Sequence, residues 1–125
     1  MVGPRFDRPE QEAAFREAYA EARGQWPAGT ESRDVPTPFG RTHVHVCGPA
    51  DGPPLVLLHG GGGNATVWFA LARELADRFR IYAPDRIGEG GLSESVTRAP
   101  DPFAWLDAVL DGLHLDRVHL AGHSY

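Results

Sequence analysis

The sequence contains no lysine and only one cysteine among its 125 residues. All twelve basic residues are arginines, which we interpret as a compositional bias without functional meaning. Cys47 alone cannot form an internal disulfide, and no cysteine and histidine spacing matches a structural zinc site, so a reducing compartment is expected. No run reaches the ~18 apolar residues of a membrane span, and the N-terminus lacks the apolar core of a signal peptide. The sequence therefore predicts a cytoplasmic protein.

Positive charge is also scarce. Seventeen acidic residues against twelve basic ones give a net charge of −5, which argues against nucleic-acid and anionic-membrane partners. Hydrophobic residues make up 42% of the chain, which is too many for a disordered tail. These numbers predict a packed globular domain, and they leave the oligomeric state open.

Residues 1–34 are expected to form an amphipathic helix and a connection, separate from a single domain over residues 35–125. Apolar residues recur at helical spacing over residues 7–23, and Asp7 with Glu10 predicts a helix cap. A helix that binds a membrane surface needs a basic polar face, whereas this polar face is mostly acidic. We therefore interpret the helix as structural.

The hydrophobic period changes to two after residue 34. Residues 35–39 contain two prolines, so they can form only an edge strand. Residues 41–47 alternate and predict a half-buried strand, with its valines facing inward. The histidines on its other side, His43 and His45, allow a metal site, but no third ligand is visible. They are expected to face solvent.

The rest of the chain alternates strands with helices. Residues 55–58 form a continuous apolar run, typical of a strand covered on both faces. Shorter apolar strands are predicted over residues 80–83 and residues 118–121. This order predicts an α/β fold with a mostly parallel sheet and antiparallel edge strands at its N-terminal end.

Two helices are predicted between these strands. The first carries an apolar stripe over residues 68–79, with Asn64 or Thr66 as its cap. The second spans residues 103–113 and is expected to bury Phe103 with its other apolar side chains. Both helices would therefore pack on the sheet.

Ligand sites of open α/β sheets lie beyond the carboxyl ends of the strands. The segment that follows the last predicted strand, residues 122–125, reads GHSY. It places Ser124 in the turn after a strand, where a G-x-S-x-G elbow presents a serine nucleophile. The closing glycine of that motif would come directly after Tyr125.

A glycine run, HGGGG over residues 59–63, follows another predicted strand. Backbone amides in such a run stabilise negative charge, either on a phosphate or on a tetrahedral intermediate. The run lacks the Lys-Ser/Thr of a P-loop, and no dinucleotide-binding fingerprint is properly placed. An oxyanion hole therefore fits better than a nucleotide site.

Together, the segments LVLLHGGGGNATVW, YAPDRIGEGGLSES and VHLAGHSY resemble the N-terminal part of an α/β-hydrolase. The resemblance implies that Ser124 is the nucleophile and that the backbone amides of Gly61 and Tyr125 form the oxyanion hole. It also implies a small-molecule ester or related acyl substrate, with no cofactor and no metal. Trp68 is a candidate to line the acyl site, with core packing as its alternative. The central motif departs from the family pattern because its serine, Ser93, comes one position late.

The family order places the catalytic acid and histidine after the serine. We therefore reject a triad of Asp85, His59 and Ser124, and expect His59 to shape the glycine run and Asp85 to form a turn. The chain is expected to be truncated before its acid and base, with the C-terminal half of the fold absent, and to be inactive alone. A non-catalytic ligand-binding protein on the same fold is the alternative.

Overall fold

The computed structural model describes residues 6–96 and 98–124. Strands and helices alternate along most of this part of the chain. In chain order they are α1 (Pro9–Arg23), β1 (Glu31–Val35), β2 (Thr42–Cys47), β3 (Pro54–Leu58), a 3₁₀ helix (Ala65–Trp68), α2 (Phe69–Leu75), β4 (Arg80–Pro84), α3 (Pro102–Gly112) and β5 (His119–Gly122).

The described strands form one mixed sheet in the order β1-β2-β4-β3-β5. The first two are antiparallel to each other, and β2 is also antiparallel to β4. The strand β3 lies parallel to β4 on one side and to β5 on the other. The predicted α/β sheet with antiparallel N-terminal edge strands is therefore confirmed.

Each face of the sheet carries an apolar cluster, because residues along a strand alternate between the faces. On one face, Val44 and Val56 pack with Trp105 and Val109 of α3. The opposite cluster contains, among others, Cys47, Leu57, Ile81, Ala72 and Trp26. The strand β3 supplies residues to both clusters, as its continuous apolar run predicts.

The edge strand lies earlier in the chain than predicted. It spans Glu31–Val35, not residues 35–39. Pro36 has no N–H to donate to the ladder, so pairing with β2 ends at Val35. The sequence ESRDV has little apolar character, which hid this strand from a search for hydrophobic alternation. It also crosses the boundary predicted between residues 34 and 35.

The expectation that the histidine side of β2 faces solvent is wrong. His45 and Cys47 are buried, and His43 is largely covered. The rings of Tyr19 in α1 and of Trp26 lie tilted against the ring of His45, with centroids 5.7 and 5.5 Å from its centroid. The N-terminal helix therefore covers a surface that the strand pattern alone left open.

Helix boundaries and orientations also differ from expectation. Asp7 does not cap α1: the cap position is Arg8, without a side-chain hydrogen bond, and Asp7 instead donates its N–H to the side chain of Gln11. Phe103, in the first turn of α3, is 77% exposed in this chain and is not buried with the other apolar side chains of the helix. None of the described helices has the length and hydropathy needed to cross a membrane.

The predicted helix after the glycine run is divided. It begins as the 3₁₀ helix and continues as the short α2. Of the two predicted caps, Asn64 fills the role, since its side chain accepts the N–H of Thr66 at 3.0 Å. The segment that leads into this helix, residues 59–64, is called the glycine loop below.

Candidate active site

Ser124 occupies a strained turn directly after β5. Its φ is +64°, in the left-handed region that residues with a Cβ rarely adopt. The preceding residue, His123, donates its backbone N–H to the carbonyl of Leu58 at 3.2 Å, which ties the turn to β3. The Ser124 side chain is exposed. This is the backbone conformation that presents a hydroxyl clear of a sheet.

The glycine loop lies against this turn. A Cβ built on Gly60 would lie 3.1 Å from the Cβ of Ser124 and 3.0 Å from the carbonyl oxygen of His123. Both segments follow neighbouring parallel strands, so they meet at the carboxyl edge of the sheet. A side chain at position 60 would therefore crowd this turn, whereas glycine fits without displacing it.

Within the loop, the backbone amides have different partners. The N–H of Gly62 donates to the Glu89 carboxylate at 3.2 Å, and that of Gly63 donates to the carbonyl of Gly60 at 3.3 Å. No acceptor is described for the Gly61 N–H among residues 6–96 and 98–124. Tyr125, the other predicted oxyanion donor, lies outside the described residues.

His59 holds the start of the loop. Its ring is fully buried. The Nε2 atom accepts the backbone N–H of Arg86 at 2.9 Å, so Nδ1 carries the proton and donates to the carbonyl of Gly60 at 2.8 Å. Both ring nitrogens are engaged with backbone, which leaves neither of them free to act as a base for Ser124.

Asp85 is fully buried and ties several segments together. Its Oδ1 accepts the N–H of Ala65 at 2.7 Å. Its Oδ2 accepts the N–H of Leu92 at 2.8 Å and the hydroxyl of Tyr19 at 2.6 Å. A buried carboxylate is stable only with such donors. The role of Asp85 therefore extends well beyond the turn that the sequence predicted.

Ser93, the serine that comes one position late in the central motif, makes two hydrogen bonds to backbone groups. Its hydroxyl donates to the backbone carbonyl of Asp85 at 2.6 Å and accepts the N–H of His43 at 2.8 Å. This buried serine links the loop after β4 to β2. The Ser93 hydroxyl thus helps to fix the backbone around Asp85.

Trp68 lies in the 3₁₀ helix after the glycine loop and is partly buried against the apolar cluster that contains Leu57 and Ala72. Among the described residues its buried Nε1 has no hydrogen-bond partner. Most of its ring thus serves packing. A role in lining an acyl site stays a prediction.

Sequence reasoning missed Tyr19. Its hydroxyl lies between Asp85 and His45, 2.6 Å from each. Burial raises the pKa of Tyr19, and the nearby Asp85 carboxylate raises it further, so the hydroxyl stays protonated. The signal in the sequence is a residue with a hydroxyl group on the apolar stripe of the helix.

A search against family models matches residues 55–125 to the alpha/beta hydrolase family. The chain belongs to this family. The match begins in β3 and includes the glycine loop, Asp85 and Ser124. The sequence resemblance to α/β-hydrolases is thereby confirmed.

Curated relatives of the chain include two carboxylesterases. Carboxylesterase YbfK of Bacillus subtilis is 38% identical over 123 residues, which cover 95% of this chain and 41% of the relative. The uncharacterized carboxylesterase nap of the same organism is 37% identical over 113 residues, or 88% of this chain and 38% of the relative. The chain thus spans about two fifths of the length of these hydrolases.

Solved structures give the same result for the fold. The naproxen esterase (carboxylesterase NP) of B. subtilis superposes with a TM-score of 0.84 at 32% identity, covering 95% of this chain and 42% of that one. The carboxylesterase CesB (YbfK) of B. subtilis gives 0.83 at 35% identity, covering 90% and 41%. Both matches cover α/β-hydrolase architecture over nearly the whole chain.

Proposed function

We propose that the protein is a serine carboxylesterase and that this chain supplies its nucleophile, Ser124, and its oxyanion donors. The observation that carries the proposal is the left-handed turn at Ser124, packed against the backbone of the glycine loop. A serine here presents its hydroxyl beside amides that stabilise negative charge. The two related carboxylesterases support a carboxylic ester as the substrate.

The proposed reaction has two stages. The Ser124 Oγ attacks the ester carbonyl carbon while a general base accepts its proton, and the carbonyl oxygen becomes an oxyanion held by the amides of Gly61 and Tyr125. The intermediate collapses, and the alcohol leaves with the proton from the base. Water then attacks the acyl-enzyme by the same route, which releases the acid and restores the serine.

His59, within the glycine loop, does not supply the base, since both of its ring nitrogens bind backbone groups. Among residues 6–96 and 98–124, no hydrogen bond to the Ser124 hydroxyl is described. We take the histidine and its orienting acid to follow Ser124 in the polypeptide, in the family order. The 125 residues alone would then lack turnover.

A cytoplasmic location stays a prediction of the sequence.

The test compares hydrolysis of p-nitrophenyl acetate by the full-length protein and two of its variants. Ser124→Ala is expected to lower kcat about 10⁴-fold or more, because it removes the nucleophile. Glu17→Ala is the control, since it truncates an exposed side chain of α1. Equal activity in Ser124→Ala and wild type would contradict the proposal. An inactive wild type would favour a ligand-binding protein on the same fold.

A further inference from the structure

A chain of buried hydrogen bonds connects α1 with the glycine loop. It starts at the partly buried Arg23, whose Nε donates to Nδ1 of His45 at 3.0 Å. The other ring nitrogen of His45 lies 2.6 Å from the hydroxyl oxygen of Tyr19, which is itself 2.6 Å from Oδ2 of Asp85. These four side chains come from α1, β2 and the end of β4, so no single motif reveals them.

The direction of each bond follows from the donors. Because Nδ1 of His45 accepts from Arg23, a neutral ring carries its proton on Nε2 and donates it to Tyr19. Burial lowers the pKa of His45 to about 4, so the ring is neutral at pH 7. Tyr19 then has one acceptor left for its own proton, and that acceptor is Asp85.

Asp85 connects this chain of hydrogen bonds to the glycine loop. Its Oδ1 holds the N–H of Ala65, the first residue of the 3₁₀ helix that directly follows the loop. Because the carboxylate is fully buried, water cannot replace a donor that is lost. A displacement of Asp85 therefore shifts the end of the glycine loop at Asn64 and Ala65.

We propose that Tyr19 is a positioning residue for the glycine loop, acting through Asp85 and the amide of Ala65. The inference rests on the proposed function, because it gives the loop the task of holding an oxyanion. An amide can stabilise that charge only at the correct distance and direction. Misplacement of a catalytic group by about 1 Å can cost up to 100-fold in rate.

The first test is hydrogen exchange of the full-length protein. In Tyr19→Phe, exchange in the segment of residues 60–68 is expected to be about 10-fold faster, relative to the amides of β3, which report global unfolding. Tyr82→Phe is the matched control. Tyr82 lies in β4 and is buried like Tyr19, but no hydrogen bond of its hydroxyl is described among residues 6–96 and 98–124. Unchanged relative exchange in Tyr19→Phe would overturn the proposal.

The second test is kinetic. Complete labelling with a fluorophosphonate counts active sites, so loss of folded protein is removed from the comparison. Per labelled site, Tyr19→Phe is expected to lower kcat about 10-fold with little change in KM, whereas Tyr82→Phe retains the wild-type kcat. An unchanged kcat in Tyr19→Phe would show a purely structural role and overturn the proposal. If wild-type Ser124 is not labelled, the proposed function fails instead, and hydrogen exchange alone decides whether Tyr19 holds the loop.

A second variant tests the proposal if Tyr19→Phe does not fold. Arg23→Gln removes the guanidinium that donates to His45, Thr30 and Ser32, and it leaves the Tyr19 hydroxyl in place. Nitrogen NMR of histidine-labelled protein is expected to show the proton on Nε2 in wild type and a mixture of tautomers in Arg23→Gln, with a smaller increase in exchange of the loop. A wild-type proton on Nδ1 would contradict the proposed direction of the chain.

Discussion

The glycine loop and the turn at Ser124 meet at one edge of the sheet, but they are held in different ways. The loop is fixed by buried side chains: His59 at its start, Asp85 just after its end, and Tyr19 behind Asp85. The turn is held by backbone contacts: the N–H of His123 donates to the carbonyl of Leu58, and Gly60 lies against Ser124. The proposed oxyanion donor Gly61 thus belongs to a loop held by buried side chains, whereas the proposed nucleophile belongs to a turn held by backbone contacts.

Replacement of Asp85 should remove most of the difference in how the glycine loop and the turn at Ser124 are held. Asp85→Ala leaves two buried donors, on Tyr19 and Ala65, and the partly buried N–H of Leu92 without their acceptor. We expect a loss of about 4 kcal/mol in the free energy of unfolding, measured by urea denaturation of the full-length protein. Asp107→Ala, on the exposed side of α3, is the control and should have little effect. Equal effects of the two substitutions would show that Asp85 does not support the loop.

Acid should weaken the same network through His45. Burial lowers its pKa to about 4, and His43 and Arg23 act in the same direction while the Asp85 carboxylate opposes them. The unfolded chain binds the proton near pH 6.5, so the stability provided by neutral His45 is complete above that pH and is lost as the pH falls to 4. The expected loss is about 3 kcal/mol.

The measurement is urea denaturation between pH 7 and pH 4 for wild type and His45→Gln. The glutamine cannot titrate, so the stability of the variant should fall less over this window, although it starts lower at pH 7. Parallel curves for the two proteins would mean that His45 does not titrate between pH 6.5 and pH 4.

Two adjacent glycines provide a finer test of the packing around Asp85. A Cβ at Gly91 would lie 2.4 Å from Cγ of Asp85, whereas a Cβ at Gly90 would meet no atom within 4 Å. Gly91→Ala is therefore expected to destabilise the protein by about 2 kcal/mol, and Gly90→Ala to change its stability little. Thermal denaturation of both variants checks this difference. Similar midpoints would mean that the carboxylate is not packed against Gly91.

The sequence predicted those parts of the fold that depend on local patterns. The apolar run of β3 indicated a strand covered on both faces, and Asn64 carried a recognisable cap signal. Alternation in β2 separated its two faces correctly but could not tell which face another element would cover. His45 was therefore expected in solvent, although α1 buries it.

The candidate site shows the same division. The turn at Ser124 and its neighbouring glycine loop follow from short motifs at strand ends. The bond between Tyr19 and Asp85 joins residues 66 positions apart, and no periodicity or motif relates them. Such pairs depend on how α1 lies on the sheet, which the amphipathic pattern of a helix does not specify.

The most direct test of the account is to locate the covalent adduct of a fluorophosphonate on the full-length protein. Tandem mass spectrometry of the digested protein identifies the modified residue. The account predicts a single adduct on Ser124, because that hydroxyl is exposed in a strained turn beside the glycine loop. An unmodified Ser124, or an adduct on another serine, would contradict it.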